Sequence, residues 1–337
     1  MPRPRYAIPF NGDTRLLKEA LRSGQVEEVY FGGPPESNAS HCPELRNVDG
    51  QGLKRALELC RAHHVRTNLL CNAYTLLFKD IAACFKLVRS PPKIDAVTIS
   101  DPLAISTFRK ELPQTELHAS VIMNLDSCAR IEAALKAGIR TVTLPLKLNR
   151  DAGFLTKAKR LKERHPRLRI KLIANHNCRP DCIFSPWHYM IESAGSSERR
   201  PSLKSPFHER IYGGVHACLD SCDSPAELIK LPFIRPEDVG HYVKNGYADV
   251  FKLVHRSWSS PMLRRAYSAY FARRHRGNLF EIVNTSKYGP PKRCDNTRFP
   301  ADFARRVTTC GKACERCSYC EKIAARTVQR GRARPPP

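Results

Sequence analysis

Two groups of cysteines are the residues most able to do chemistry in this chain. Cys178, Cys182, Cys218 and Cys222 form two C-x3-C pairs, and Cys310, Cys314, Cys317 and Cys320 crowd into CGKACERCSYC. Thiols two or three residues apart cannot all close into unstrained disulfides, but their thiolates converge readily on one Zn2+ or on the irons of an iron–sulfur cluster. One or two inorganic centres are therefore expected. At the N-terminus, Pro9, Asn11 and Asp13 interrupt any apolar run, so no secretory leader is read and a cytoplasmic protein with reduced thiols is expected. The other six cysteines (Cys42, Cys60, Cys71, Cys84, Cys128 and Cys294) read as small buried hydrophobes.

Other candidates surround these groups. Asn175, His176, His188 and Tyr189 lie close in sequence to Cys178 and Cys182, with His176 and His188 as candidate catalytic imidazoles. Glu237 and Asp238, in PEDV, could act as acid and base; as adjacent carboxylates opening a helix after Pro236 they could equally complement its dipole. Neither G-x-S-x-G nor H-E-x-x-H occurs, which removes support for a serine hydrolase or a standard zinc protease. A formal net charge of +25 favours an anionic partner: RNA, a small carboxylate or an acidic peptide. The stretch MLRRAYSAYFARRHR interleaves Arg264, Arg265, Arg273, Arg274 and Arg276 with Tyr267, Tyr270 and Phe271. It reads either as a nucleic-acid grip or as a packed helix with a solvated basic face. No uncharged apolar stretch is long enough to span a bilayer, so membrane insertion is not expected.

The elements that must position these residues alternate. Short β-branched or apolar runs at 26–32, 65–72, 94–100, 116–124, 139–146, 168–176 and 247–256 read as strands. Between them, 50–64, 101–112, 125–138 and 149–165 read as helices, with Asp101, Asp126 and Asn149 at N-cap positions and Gly138 at a C-cap. Such alternation means right-handed βαβ units and a parallel sheet, and its length predicts a (β/α)8 TIM-barrel-like fold, with an open doubly wound sheet second. The expected organisation is a barrel over 1–260 and a basic, cysteine-rich C-terminal extension over 261–337 with a disordered tail. A polar insertion at about 190–232 runs between the two C-x3-C pairs. In a barrel the loop after LRIKLIANH opens onto the catalytic face, which would put Cys178 and Cys182 at the mouth. Spacing alone fits a structural zinc tetrad there equally well.

N-x-x-C-x3-C after a strand, a later cysteine pair, PFIRPEDVGHYVKNGYADVFKLVHRS and the terminal C-x3-C-x2-C-x2-C together resemble the collagenase-like peptidases of unknown mechanism. VTISDPLAI and KAGIRTVTLPLKLNRDAGFL fit as well, so the resemblance runs from about Glu28 to Cys320. Relatives of that family include oxygen-independent hydroxylases of ubiquinone precursors, transfer RNA and ribosomal RNA that carry a [4Fe–4S] cluster on a (β/α) barrel. The resemblance implies that Cys178, Cys182, Cys218 and Cys222 bind such a cluster, with one of Cys218 and Cys222 open as a bystander. It also points to Lys252 and Arg256 of FKLVHR as site residues. His255 stands where the family element FKLVGR has glycine.

Cys310, Cys314 and Cys317 reproduce the spacing of radical S-adenosylmethionine enzymes, but they come late in the chain and Cys320 would close the open iron site. A second iron–sulfur cluster or a zinc ion remain the alternatives there. The expected function is an iron–sulfur hydroxylase or redox enzyme served by an electron donor. A peptidase or peptide-modifying enzyme, and a non-catalytic RNA-binding protein with structural metals, are the alternatives.

Overall fold

Eight strands alternate residues between two buried faces, and that alternation sets the architecture. Val29, Phe31, Leu69, Val97, Ile99, Leu117, Val142, Ile170, Leu172 and Phe251 share one continuous apolar cluster with the helices, while Ala7, Tyr30, Leu70 and Val250 form a separate small cluster inside the ring. In the computed structural model the strands β1 (Tyr6–Pro9), β2 (Val26–Phe31), β3 (Arg66–Cys71), β4 (Ala96–Ile99), β5 (Glu116–Ala119), β6 (Thr141–Thr143), β7 (Arg169–Ile173) and β8 (Val250–Lys252) close into a parallel barrel in sequence order. Residues 3–34, 38–40, 48–74, 76–176, 178–180, 182–183, 185–194, 224–283 and 292–330 are described.

The helices are α1 (Thr14–Leu21), α2 (Gly50–Ala62), α3 (Phe78–Arg89), α4 (Ile105–Glu111), α5 (Cys128–Lys136), α6 (Ala152–Arg164), α7 (Ser185–Ala194), α8 (Pro225–Lys230), α9 (Val239–Asn245), α10 (Ser260–Ala272), α11 (Phe303–Thr308) and α12 (Tyr319–Thr327). Asp101 caps its turn as expected, accepting from Leu103 N. Gly138 follows α5 at φ +107°, a backbone conformation that favours glycine. Two caps differ from expectation. Ser127, not Asp126, caps α5, because Asp126 is engaged by Arg130 and Lys147. Asp151, not Asn149, caps α6, and Asn149 is instead buried, donating to the carbonyls of Ile173 and Pro232.

The sequence pattern also missed α1, α3 and β1, and because of β1 LRIKLIANH supplies the seventh strand rather than the sixth. Helix α10 packs on β1: the Tyr6 hydroxyl donates to Tyr270 O, and the Tyr267 hydroxyl donates to Pro9 O. The barrel therefore runs on through Ala272, past the expected boundary at 260. Beyond it, an antiparallel pair, β9 (Lys292–Cys294) and β10 (Val328–Arg330), and α12 fold back so that α12 lies against α8. No helix among the described residues is long and apolar enough to cross a membrane. Of the end expected to be disordered, RTVQRGRARPPP from Arg326, residues 326–330 instead close α12 and form β10, held by pairing with β9, while 331–337 and most of the insertion lie outside the described residues.

Candidate active site at the barrel mouth

The inside of the barrel is polar where bulky aliphatic layers are usual. Lys171 on β7 donates to both carboxylate oxygens of Glu28 on β2, at 2.5 and 2.6 Å. Asn68 donates to Glu28 and to His118 Nδ1, and its carbonyl oxygen accepts from Thr98. His118 Nε2 faces the Glu116 carboxylate at 2.8 Å, which can only accept, so the proton sits on Nε2 and Nδ1 is the acceptor. Arg66 and Thr141 also donate to Glu116. Burial would raise the Glu28 carboxyl, but the Lys171 charge and its hydrogen bonds override that and hold it at about 2. Burial, reinforced by Lys171, pushes His118 down and keeps its imidazole neutral.

Above this layer the partners run out. Asn149 Oδ1, Arg150 Nε and Nη2, Asn175 Nδ2 and His176 Nδ1 are buried with no hydrogen-bond partner. These residues follow β6 and β7, at the end of the barrel where catalytic loops sit. Asn175 uses its oxygen to accept from Val254 N at 2.7 Å, which ties the exit of β7 to that of β8. His255 lies in the left-handed region at φ +79° and stacks on Trp258 with ring centres 4.5 Å apart. Its Nε2 donates to Asn175 O at 3.1 Å, and its ring is 5.2 Å from that of His176. The His255 imidazole thus lines the mouth, on a backbone that glycine adopts more easily. Burial, aided by the nearby His188, lowers His176 to about 4.

Cys178 and Cys182 are half-buried on the loop after β7, and both act on the Tyr189 hydroxyl of α7, whose pKa burial raises first of all. His188 lies on the same helix. The structure thus brings Cys178, Cys182, His176, His188 and Tyr189 to one region. Cys218 and Cys222 lie outside the described residues. Among the described residues no group of three or more His, Cys, Asp and Glu side chains is placed to hold a metal ion.

Lys252 and Arg256 also reach the mouth. Lys252 is half-buried with Nζ 4.2 Å from the Tyr30 ring centre, and buried Arg256 donates to Ser40 Oγ at 3.0 Å. Gly32 has no side chain because one there would strike the Arg256 guanidinium and Asn38.

Glu237 and Asp238 are elsewhere, and this corrects their reading as an acid and base. Asp238 is buried in a bidentate pair with Arg235, at 2.8 and 2.7 Å, and Glu237 accepts from His275 N and Asn296 Nδ2. The segment PFIRPED is a staple: Ile234 N donates to Ala174 O, and Tyr270 donates to Ile234 O. The α10 aromatics are likewise structural. Tyr267 and Tyr270 are buried, and Arg264 and Arg265 pair with Glu19 and Glu281, so this helix offers no stacking platform from its tyrosines.

The C-terminal cysteines occupy a separate position. Cys310, Cys314 and Cys317 are exposed and Cys320 is half-buried. Helix α8 lies between the two cysteine groups: Glu227 is 3.8 Å from Arg179, and Lys230 senses the charges of Cys314 and Cys320. Arg150, stacked over Phe233 and Phe303, donates to Ile229 O of α8 and senses Cys320. A depression lined by Lys136, Arg140, Arg164 and His165 lies at the opposite end of the barrel from this chemistry.

Residues 12–164 match the family model described as Peptidase family U32. The Uncharacterized protease MJ1657 of Methanocaldococcus jannaschii is 23% identical over 323 residues, covering 94% of this chain and 91% of that protein. The solved structure of the U32 peptidase Mk0906 aligns over 76% of this chain and 94% of its own with a TM-score of 0.53, a likeness of fold at 11% identity. With the closed eight-stranded barrel, the matched segment running from α1 to the end of α6 makes this chain similar to peptidase family U32 over that part of the barrel.

Proposed function

We propose that this chain is an iron–sulfur enzyme that carries out an oxygen-independent hydroxylation or related redox modification of an anionic substrate. Its [4Fe–4S] cluster would be held by Cys178 and Cys182 and completed by Cys218 and Cys222. What supports this most is the placement of two half-buried thiols on the catalytic face beside a buried imidazole with an orphaned Nδ1. Thiolate sulfur is the donor such a cluster takes, so the side chains present fit it. Bound there, a cluster supplies Lewis acidity or an electron relay. The chain's own residues attract and orient: Arg256, joined by the protonated fraction of Lys252, brings positive charge to the mouth, and neutral His176 can accept a proton. An external electron donor and an oxygen source complete the reaction.

The test is iron and acid-labile sulfide per chain in anaerobically purified protein, with its visible spectrum. The variant Cys178→Ala/Cys182→Ala is expected to lose the chromophore assigned to the barrel while staying folded. Unchanged iron and sulfide would overturn the assignment. Peptide cleavage by iron-free protein would replace it with a peptidase.

A second centre, iron–sulfur or zinc, is proposed at Cys310, Cys314, Cys317 and Cys320, whose side chains are not gathered in the structure and would have to draw together to hold it. It is supported by Arg150, a buried cation with two orphaned nitrogens in the field of Cys320, where a thiolate-bound metal would supply the missing negative charge. The variant Cys314→Ser/Cys317→Ser is expected to speed proteolysis from about Cys310 while α12, held by buried Ile323 and Ala324, stays docked. Global unfolding, or loss of all iron, would assign these cysteines to the central site instead.

A further inference from the structure

Lys252 is the last residue of β8, and strand alternation turns it into the barrel, since Phe251 before it packs outward against Tyr6 and Tyr242. Across the ladder it faces Ala7 and Ile173. Its amine rests on the ring of Tyr30, whose hydroxyl is fixed by donation to Leu253 O at 2.8 Å. Among the described residues nothing accepts a hydrogen bond from Nζ. The interior carboxylates are already engaged: Glu28 by Lys171 and Asn68, and Glu116 by Arg66, His118 and Thr141. Lys171 lies one inward layer below, and Arg256 follows four residues on, anchored on Ser40. An amine on an aromatic ring between two cations, half-buried rather than sealed, has the surroundings of a nucleophilic lysine.

We propose that Lys252 is an amine nucleophile that condenses with the carbonyl of an aldehyde or ketone bearing an acidic group, forming a Schiff base at the barrel mouth while Arg256 attracts the acid. Nζ attacks the carbonyl carbon, the C–O bond breaks, and the oxygen leaves as water with the two amine hydrogens. Nothing is oxidised or reduced. Burial, and then the Lys171 and Arg256 charges, bring Lys252 to about 7 against the opposing pull of Glu28, so about half of it is uncharged near neutrality. An exposed lysine is uncharged to less than about one part in a thousand at that pH. Of the groups around it, Glu28, held at about 2, and Tyr30, raised by burial, do not titrate between pH 6 and 9, while burial pushes His118 down and also lowers Lys171 against the opposing pull of Glu28. The proposal goes beyond the iron–sulfur reading and requires no metal.

The experiment treats the full-length, anaerobically purified protein with glyoxylate and cyanoborohydride, whose hydride reduces the iminium to a stable carboxymethyl amine, and maps the adduct by peptide mass. At pH 7 the Lys252 adduct is expected to form on the order of a hundredfold faster than adducts of exposed lysines, because the larger neutral fraction outweighs lower basicity. Its rate should rise with pH and level off above about 7. Lys252→Arg, checked for fold by circular dichroism, should abolish it. Arg256→Gln should slow labelling by glyoxylate more than labelling by uncharged propionaldehyde. Labelling spread over surface lysines, with Lys252 unmodified or no faster than the rest, would overturn the proposal. Iron and sulfide are assayed in the same samples. A rapid Lys252 adduct without iron supports the lysine and defeats the cluster, whereas iron without the adduct defeats the lysine alone.

Discussion

The middle of the barrel and its mouth use similar side chains and differ in how completely those side chains are paired. In the middle layer, Glu28, Asn68, Thr98, His118, Glu116 and Lys171 satisfy one another across the ring. One layer higher, Asn149, Arg150, Asn175 and His176 keep buried polar atoms with no partner, and Lys252 rests on a ring. A satisfied buried network stabilises and fixes a unique arrangement, whereas orphaned groups at the same depth cost folding free energy. Their concentration at the end of the barrel where loops carry chemistry marks the place where a ligand would complete the hydrogen bonding. Polar residue type by itself therefore says little about function in this chain; pairing says more.

The largest effect is expected in the paired layer. Lys171→Met leaves Glu28 buried without its cation, which should cost about 3–5 kcal/mol in denaturant unfolding. Adding Glu28→Gln to that variant should recover much of the loss, because no unpaired charge then remains. Glu28 also sets a pH signature. Its carboxyl is depressed from 4.5 to about 2, so its contribution is fully present above pH 4.5 and is lost as pH falls towards 2. That contribution is about 3 kcal/mol, and Glu28→Gln should flatten stability across this window. An equally steep acid loss in Glu28→Gln would show that the layer is not the stabilising unit described.

The next comparison sets two buried arginines against each other. Arg235 is paired to Asp238 by two hydrogen bonds, while Arg150 has one bond to Ile229 O and two orphaned nitrogens. Arg235→Met should cost about 3 kcal/mol or more, because Asp238 is left buried and unpaired. Arg150→Met should cost about 1 kcal/mol or less, since relief of an uncompensated charge offsets the lost hydrogen bond and ring contacts. Equal costs in thermal or urea unfolding of metal-free protein would mean that Arg150 has a compensating partner of its own.

Much of this fold was legible because its strands and helices alternate in hydrophobic pattern, and the cysteine spacing drew attention to the loop after β7. Three things were hidden. Strand β1 is only YAIP, too short for a period to show, and it is fixed by tertiary contacts from Tyr6 to α10. The caps at Ser127 and Asp151 lost to acidic or amide neighbours in sequence because nearby lysine and arginine chains, or burial, claimed those neighbours first. The interior network was unread because its members come one or two per strand. The signal was present: Glu28, His118 and Lys171 sit mid-strand in otherwise apolar runs, where a strand buried on both faces has no water to receive a charge. PFIRPED was read for its carboxylates, yet those carboxylates are consumed in fastening the returning chain to β7 and α10.

The smallest expected effect concerns a mouth residue whose backbone is itself strained. His255 holds φ +79° and keeps its ring in place through Trp258 and the Asn175 carbonyl. A non-glycine residue in the left-handed region carries about 1–2 kcal/mol of strain. The stacked contact is worth about 1 kcal/mol, and the hydrogen bond contributes about the same. His255→Ala removes both contacts and keeps the strain, so it should destabilise by about 2 kcal/mol. His255→Gly removes more atoms yet releases the strain, and its net cost should be only about 1 kcal/mol or less. The order is diagnostic: glycine milder than alanine at 255, measured by urea midpoints at constant slope, supports a backbone held in place by the imidazole. Alanine equal to or milder than glycine would mean that the chain relaxes there without help, and that His255 is present for contacts at the mouth alone.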